Sequence, residues 1–283
     1  MSEIFLCSIC NVKSGNCNED CAYCTQSKHY NTNINSYDYK SIEQIVNETK
    51  LASKAGALGF CLVTSGRGFS GDGIDGVKIN FIARAASEIK ASGLHLHLIA
   101  CNGRASFKQL AFLKENGIDS YNHNLETAKS YFPKICSTHT YEERYETNQN
   151  AINAGLGICC GGIFGLGESN EQRIELLEAL KTLNPHTSTI NFYIKNDALP
   201  IKTKQIDKEE AIAIIKKAKE LLPNTRLMAA GGRELVFKDD FKSMFLAGIN
   251  SIVLGDYLTT KGNDKTSDIE LIQQAGYKIA TSC

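Results

Sequence analysis

The chain has 283 residues and a mass of 31.0 kDa, enough to bury a substantial core. Its 31 basic and 31 acidic residues cancel, which argues against binding nucleic acid or anionic membrane through bulk charge. A hydrophobic fraction of 42% beside 22% charged residues excludes a disordered chain, and no apolar run approaches the ~18 residues of a membrane span.

The first residues, through Cys7, lack a basic segment followed by a long apolar one. No secretory signal is read there, and a cytoplasmic protein is expected. From this point short β-branched or apolar runs alternate with longer amphipathic ones. Strands are predicted at 4–11, 59–64, 94–101, 120–124, 156–161, 189–194, 226–230 and 251–254. Helices are predicted at 41–55, 79–92, 107–116, 141–154, 171–183, 208–222, 241–247 and 267–275. Ile212, Ile215, Ala218 and Leu222 recur on one helical face. Several helices stop at glycine, as at Ala55-Gly56, Asn116-Gly117 and Ala154-Gly155. Eight strands alternating with eight helices predict an α/β fold, a (β/α)8 TIM-type barrel forming a single domain over 1–283. The end from about 261 to 283 is expected to be peripheral. A doubly wound open sheet is the rival, and in both folds ligands gather at the carboxyl ends of the strands.

Eleven cysteines stand out. Their odd number, without a secretory signal, favours metal or redox chemistry over disulfides. Cys17, Cys21 and Cys24 form C-x3-C-x2-C in a loop at 12–30 after the first strand, with Tyr23 just before the last. A structural zinc site takes four ligands. Three thiolates on a four-iron cluster instead leave one iron open for a chelating ligand. His29 is a candidate fourth ligand, so a zinc knuckle remains the competing possibility. Cys61, Cys101 and the pair Cys159-Cys160 fall within three later strands, and Arg226 opens another. Side chains on a strand alternate faces, so each cysteine points either toward the helices or into the barrel. Taken singly, each is a small buried hydrophobe; all inward, three thiolates and a guanidinium meet inside one barrel. Cys7, Cys10, Cys136 and Cys283 are read as structural.

Asn122 and Asn124 are two apart on one predicted strand and share a face, and Asn191 lies on the sixth. Inward amides suit an amide or ureido ligand, since each offers donors and an acceptor. The stretch Gly161-x-Ile163-x-Gly165-x-x-Glu168 follows the fifth strand, where glycines permit either a close ligand approach or an ordinary turn. Gly66-Arg67-Gly68-Phe69-Ser70-Gly71 has the spacing of a dinucleotide loop, but no helix opens there, so it is read as a plain loop. His95 and His97 share a face and are read as core or helix-facing residues.

The cysteine triplet with its aromatic resembles the radical S-adenosylmethionine superfamily. The segments around Cys17–Cys24, Tyr121-Asn122-His123-Asn124-Leu125, Gly161-Gly162-Ile163-Phe164-Gly165, Ala230-Gly231-Gly232-Arg233-Glu234 and Leu254-Gly255-Asp256 resemble the biotin synthase family within it, from about Val12 to Thr260. The resemblance implies a sulfur insertion that converts dethiobiotin to biotin. It implies a [4Fe-4S] cluster on Cys17, Cys21 and Cys24, whose open iron binds S-adenosyl-L-methionine. It implies a [2Fe-2S] cluster on Cys61, Cys101, Cys159 and Arg226 as the sulfur source. It assigns Tyr23, Asn124, Glu126, Arg144, Gly161 and Ile163 to S-adenosylmethionine, and Asn122, Asn124 and Asn191 to dethiobiotin. A flavodoxin- or ferredoxin-type electron donor and a homodimer are implied too. The chain departs from relatives in carrying Cys160 where serine is frequent, in one extra residue at Gly231-Gly232, and in a short segment before Cys17. Another radical enzyme, of hydrogenase-maturation or thiazole-pathway type, and a non-enzymatic zinc protein are the alternatives.

Overall fold

A computed structural model of the chain describes residues 3–282; Cys283 lies outside the described residues. Among the described residues ten strands occur in the order β1 (Glu3–Lys13), β2 (Gly59–Thr64), β3 (His97–Cys101), β4 (Ser120–Asn122), β5 (Gly157–Cys159), β6 (Gly162–Phe164), β7 (Thr187–Phe192), β8 (Arg226–Ala229), β9 (Ser251–Val253) and β10 (Lys278–Ile279). The helices are α1 (Ile42–Lys54), α2 (Val77–Ala91), α3 (Phe107–Glu115), α4 (Tyr141–Asn153), α5 (Asn170–Leu183), α6 (Lys208–Leu221), α7 (Arg233–Phe237), α8 (Phe241–Ala247) and α9 (Lys265–Gln274).

Eight strands pair in parallel in the order β1, β2, β3, β4, β5, β7, β8, β9, and β9 pairs back on β1. The sheet is therefore a closed barrel and not the open alternative. β6 adds to β7 beyond the end of β5, and β10 pairs with the start of β1. Helices α1, α3, α4 and α5 each begin with a reciprocal capping box, on Ser41/Gln44, Ser106/Gln109, Thr140/Glu143 and Ser169/Gln172. Each box satisfies amide groups that the first turn leaves unpaired. Among the described residues no helix is long and apolar enough to cross a membrane.

Strand alternation divides the core in two. Outward residues such as Leu6, Cys10, Leu62, Leu98, Tyr121, Ile158 and Cys160 pack against the helices. Inward residues Cys7, Cys61, Val63, Ile99, Met228, Ala230 and Val253 form a second cluster inside the barrel, with Ile9 and Cys101 against it. The C-terminal segment is tied back by a buried ion pair: Arg233 on α7 donates to Asp268 on α9 at 2.7 and 3.1 Å.

The predicted elements are recovered with shifted ends. β3 starts at His97 and β4 stops at Asn122, so Asn124 lies past the strand. The predicted fifth strand divides around Gly161 into β5 and β6. His97 lies inside the barrel, with Nε2 2.6 Å from Ser120 Oγ. The glycine-rich run at 66–71 is a loop, and the following helix starts at Val77.

Candidate active site

The cysteine loop leaves β1 through two successive left-handed residues, Gly15 (φ 75°) and Asn16 (φ 54°). A side chain on Gly15 would collide with Ser36, so glycine is required there. The loop closes on itself: the Cys17 amide donates to Gln26 O, the Lys28 amide to Cys17 O, and Gln26 Oε1 accepts from the Gly15 amide. Cys17, Cys21 and Cys24 all line one cavity of about 300 Å³ at the carboxyl end of the barrel. His29 is exposed, its Nε2 2.9 Å from the Asn18 carbonyl oxygen, and it does not line that cavity. Three sulfur donors on a preformed loop fit a cluster that keeps one open iron.

The loop is held from the α4 side by residues that the sequence pattern did not single out. Asp20 accepts from Ser137 and Thr138, through the two amides and both hydroxyls. Cys21 donates to Cys136 across 3.8 Å, and Cys136 Sγ lies 3.2 Å from His139 Nδ1. The Cys21 bond, aided by His139 and Thr138, pulls the Cys136 thiol down to about 4 despite its burial. The same bond, with burial, pushes the Cys21 thiol up, and burial raises Cys24 to about 11. These thiols must lose protons to bind iron.

Arg144 is the hub behind them. Its Nε donates to His139 Nε2 at 3.0 Å, its Nη1 to Asn124 O at 2.9 Å and Glu126 Oε1 at 3.3 Å, and its Nη2 to Tyr23 OH at 3.4 Å. His139 Nε2 accepts, so its proton sits on Nδ1 and is donated to Glu19 Oε2 at 2.5 Å. Glu126 is nearly buried in a left-handed backbone conformation (φ 70°), and its Oε2 has no hydrogen-bond partner. Burial raises its carboxyl above the ordinary value although Arg144 opposes the shift. A buried acceptor without a partner, aimed into a cavity, is a place for a ligand hydroxyl.

A second cavity of about 690 Å³ opens from the first and shares Tyr23, Cys24, Cys101, Asn122, Asn124 and Ile163 with it. Asn122 Oδ1 is buried without a partner. The other amides are partly used in place: Asn124 Oδ1 accepts from the Gly161 amide and Thr189 Oγ1, and Asn191 bridges Gly162 O and the Gly231 amide. Gly161 lies against strand β7, since a Cβ there would stand 2.0 Å from Thr189 O. This close packing accounts for the glycine, and Ile163 is the residue of that stretch that lines both cavities.

Deeper in the same cavity lie Cys7, Cys61, Cys101 and Cys159. Cys61 and Cys101 are hydrogen-bonded; that bond and burial hold the Cys61 thiol up, while the same bond holds the Cys101 thiol down against its burial. Cys159 faces this interior, whereas Cys160 is fully buried in the layer under the helices. Arg226 is placed lower. Its guanidinium lies 3.5 Å over the Phe5 ring and lines an adjoining cavity of about 500 Å³ toward the amino end of the barrel, which shares Cys7, Ile99, Cys159 and Met228 with the cavity above it. Cys10 packs outward against the helices.

Two family profiles cover most of the chain: "Radical SAM superfamily" over residues 11–180 and "Biotin and Thiamin Synthesis associated domain" over 189–278. The chain is 56% identical over 283 residues to a biotin synthase of Wolinella succinogenes, covering 100% of both chains. It is 56% identical to a biotin synthase of Helicobacter hepaticus, covering 100% of this chain and 98% of that one. Among solved structures, the hydrogenase maturase HydG superposes with a TM-score of 0.80 at 16% identity, over 100% of this chain and 65% of HydG. Methylornithine synthase PylB superposes with a TM-score of 0.79 at 17% identity, over 98% and 84%. The structural likenesses speak to the fold alone; the sequence relatives go further, and the chain belongs to the biotin synthase family of the radical S-adenosylmethionine superfamily.

Proposed function

We propose that the chain converts dethiobiotin to biotin by radical sulfur insertion. The observation that carries this is the arrangement of two adjoining cavities with shared walls, one lined by the three loop thiols and the other by the strand thiols. When bound, a [4Fe-4S] cluster with S-adenosylmethionine supplies hydrogen-atom abstraction, and an interior cluster supplies the sulfur.

The chain's own residues bind, orient and exclude water. Cys17, Cys21 and Cys24 hold the cluster at the mouth. Glu126 Oε2 takes the ribose hydroxyls of S-adenosylmethionine, Arg144 and Tyr23 stand beside its charged end, and Asn124 and Ile163 flank it. The Gly161 amide contributes indirectly, by fixing Asn124. Asn122 Oδ1 accepts from the ureido nitrogen of dethiobiotin, and Asn191 holds the opposite side of the ligand. Cys61, Cys101 and Cys159 hold the sulfur-donating cluster below. Placing the substrate between mouth and depth sets its reacting carbons between abstraction and sulfur delivery.

Thiolate-bound iron clusters require reducing surroundings, which supports a cytoplasmic location. A flavodoxin- or ferredoxin-type protein is the proposed electron source, and a homodimer the proposed assembly. The test is biotin formation from dethiobiotin under strict anaerobiosis. Cys101→Ala is expected to keep the iron bound by Cys17, Cys21 and Cys24 while losing biotin. Full biotin yield from that variant would contradict the proposed interior site.

A further inference from the structure

We infer that Cys21 and Cys136 join in a disulfide when the cysteine loop carries no cluster, which makes Cys136 the oxidation partner of a cluster ligand. The inference rests on the reading above that Cys21 holds the cluster at the mouth. It gives a role to Cys136, a thiol that the proposed reaction does not use.

Three observations carry it. First, Cys21 Sγ and Cys136 Sγ lie 3.8 Å apart although 115 positions separate them in the chain. A sulfur–sulfur bond is about 2.05 Å long, so each sulfur has to move by only about 1 Å. Second, the backbone holds the two residues opposite each other. On one side the Ala22 amide donates to Ile135 O at 2.8 Å. On the other, the Asp20 carboxylate accepts from the Ser137 and Thr138 amides at 2.9 and 3.2 Å. Residues 20–22 thus run antiparallel to 135–137, with Cys21 facing Cys136. Residues opposed in this way have Cα atoms roughly 4.5–5.5 Å apart, within the span that a disulfide bridges. Third, the two thiols differ in access: Cys21 lines the mouth cavity, whereas Cys136 does not and is buried behind it.

His139 does not turn the pair into a metal site, although its Nδ1 is 3.2 Å from Cys136 Sγ. Its Nε2 accepts from Arg144, so Nδ1 carries the ring proton and has no lone pair to give a metal. What remains is two thiols in contact. The oxidant is a peroxide that arrives through the mouth cavity. Hydrogen peroxide gives one oxygen to the Cys21 sulfur, forming a sulfenic acid, and its other oxygen leaves as water. The Cys136 sulfur then attacks the sulfenic sulfur. The S–S bond forms as the S–O bond breaks, and the hydroxyl leaves with the Cys136 proton as a second water. Two thiols have then lost two electrons and two protons, and one peroxide has become two waters. The disulfide keeps Cys21 from the irreversible sulfinic and sulfonic states and keeps it off iron until a dithiol reduces it.

The test uses the full-length chain, freed of iron by a chelator with a dithiol present, desalted anaerobically and given graded hydrogen peroxide from one equivalent upward. Remaining thiols are alkylated, and the digest is mapped by mass spectrometry. The expected main product at low peroxide is a Cys21–Cys136 linked peptide pair. Iron loading is read in a Cys101→Ala background, which leaves the mouth cluster alone; it should be lost with the disulfide and restored by dithiothreitol. Cys136→Ser should form no such pair and should recover less loading, because its Cys21 goes on to sulfinic and sulfonic acid. If the serine variant does not fold, Cys136→Ala takes its place, and the disulfide map of the parent decides without either. Cys21 paired with Cys17 or Cys24, or still open to alkylation after peroxide, would overturn the inference. So would equal recovery of loading in the parent and in Cys136→Ser. A Cys21–Cys136 pair in a chain that loads iron equally well as Cys21→Ala would keep the disulfide and overturn the cluster reading instead.

Discussion

Arg144→Met is the most informative single change outside the clusters. Arg144 and Glu126 have side chains only 10% and 12% exposed and lie 3.3 Å apart. The substitution keeps most of the side-chain bulk, removes four donated hydrogen bonds, and leaves the Glu126 carboxylate buried without its counter-charge. Breaking one side of a buried pair costs ~3–5 kcal/mol. At ~2.1 cal/mol/K per residue the 283-residue chain has an unfolding entropy of ~0.6 kcal/mol/K, so the expected fall in Tm is roughly 5–8 °C. The pH dependence has a definite sign. Burial already holds the Glu126 carboxyl above its ordinary value, and Arg144 restrains that rise. Without Arg144 the folded-state value climbs further, so the folded chain binds an extra proton over a wider window. Stability is then retained below the unfolded carboxyl value and lost as pH rises through the higher folded one. The assay is thermal unfolding of the reduced, cluster-free chain across pH 5 to 8. Glu126→Gln added to Arg144→Met should flatten the added slope and restore part of the Tm. A Tm within about 1 °C of the parent, with no new pH slope, would refute the hub role of Arg144.

Three further outcomes follow from packing and orphaned groups. Cys159→Ser should lose interior iron while Cys160→Ser keeps it, because only Cys159 faces the cavity; equal iron in both, measured per chain, would contradict that orientation. Gly161→Ala should lower Tm, since its Cβ would stand 2.0 Å from the Thr189 carbonyl oxygen and overpacking costs ~1–3 kcal/mol; an unchanged melt would show the strands can part without cost. Asn122→Ala should raise KM for dethiobiotin ~10-fold with unchanged iron content and Tm, the size expected from one lost hydrogen bond in a buried site; an unchanged KM would remove Asn122 from the substrate contacts.

The barrel was legible in the sequence because its signals are local. Gly59–Thr64 reads as a strand from its apolar run, and Phe241–Ala247 as a helix between Asp240 and Gly248. The cysteine loop was legible for the same reason, since its three thiols lie within eight residues. What stayed hidden depends on contacts between distant segments. Whether Cys159 or Cys160 faces inward is set by a strand only three residues long, and no periodicity survives over that length. His139 and Cys136 look like loop residues until Glu19 and Cys21 are brought onto them from 115 to 120 positions away. Cys7 looked like one more buried hydrophobe, and only closure of β9 onto β1 turns its strand into a wall of the same chamber as Cys61 and Cys159.

The most direct measurement follows the sulfur itself. The chain is loaded anaerobically with iron and isotopically labelled sulfide, cleared of unbound sulfide, and given dethiobiotin, S-adenosylmethionine and reductant for one turnover. Biotin carrying the label, in an amount limited by interior cluster and absent from Cys101→Ala, is the predicted result. Unlabelled biotin, or labelled biotin made equally well by Cys101→Ala, would contradict sulfur delivery from within the barrel.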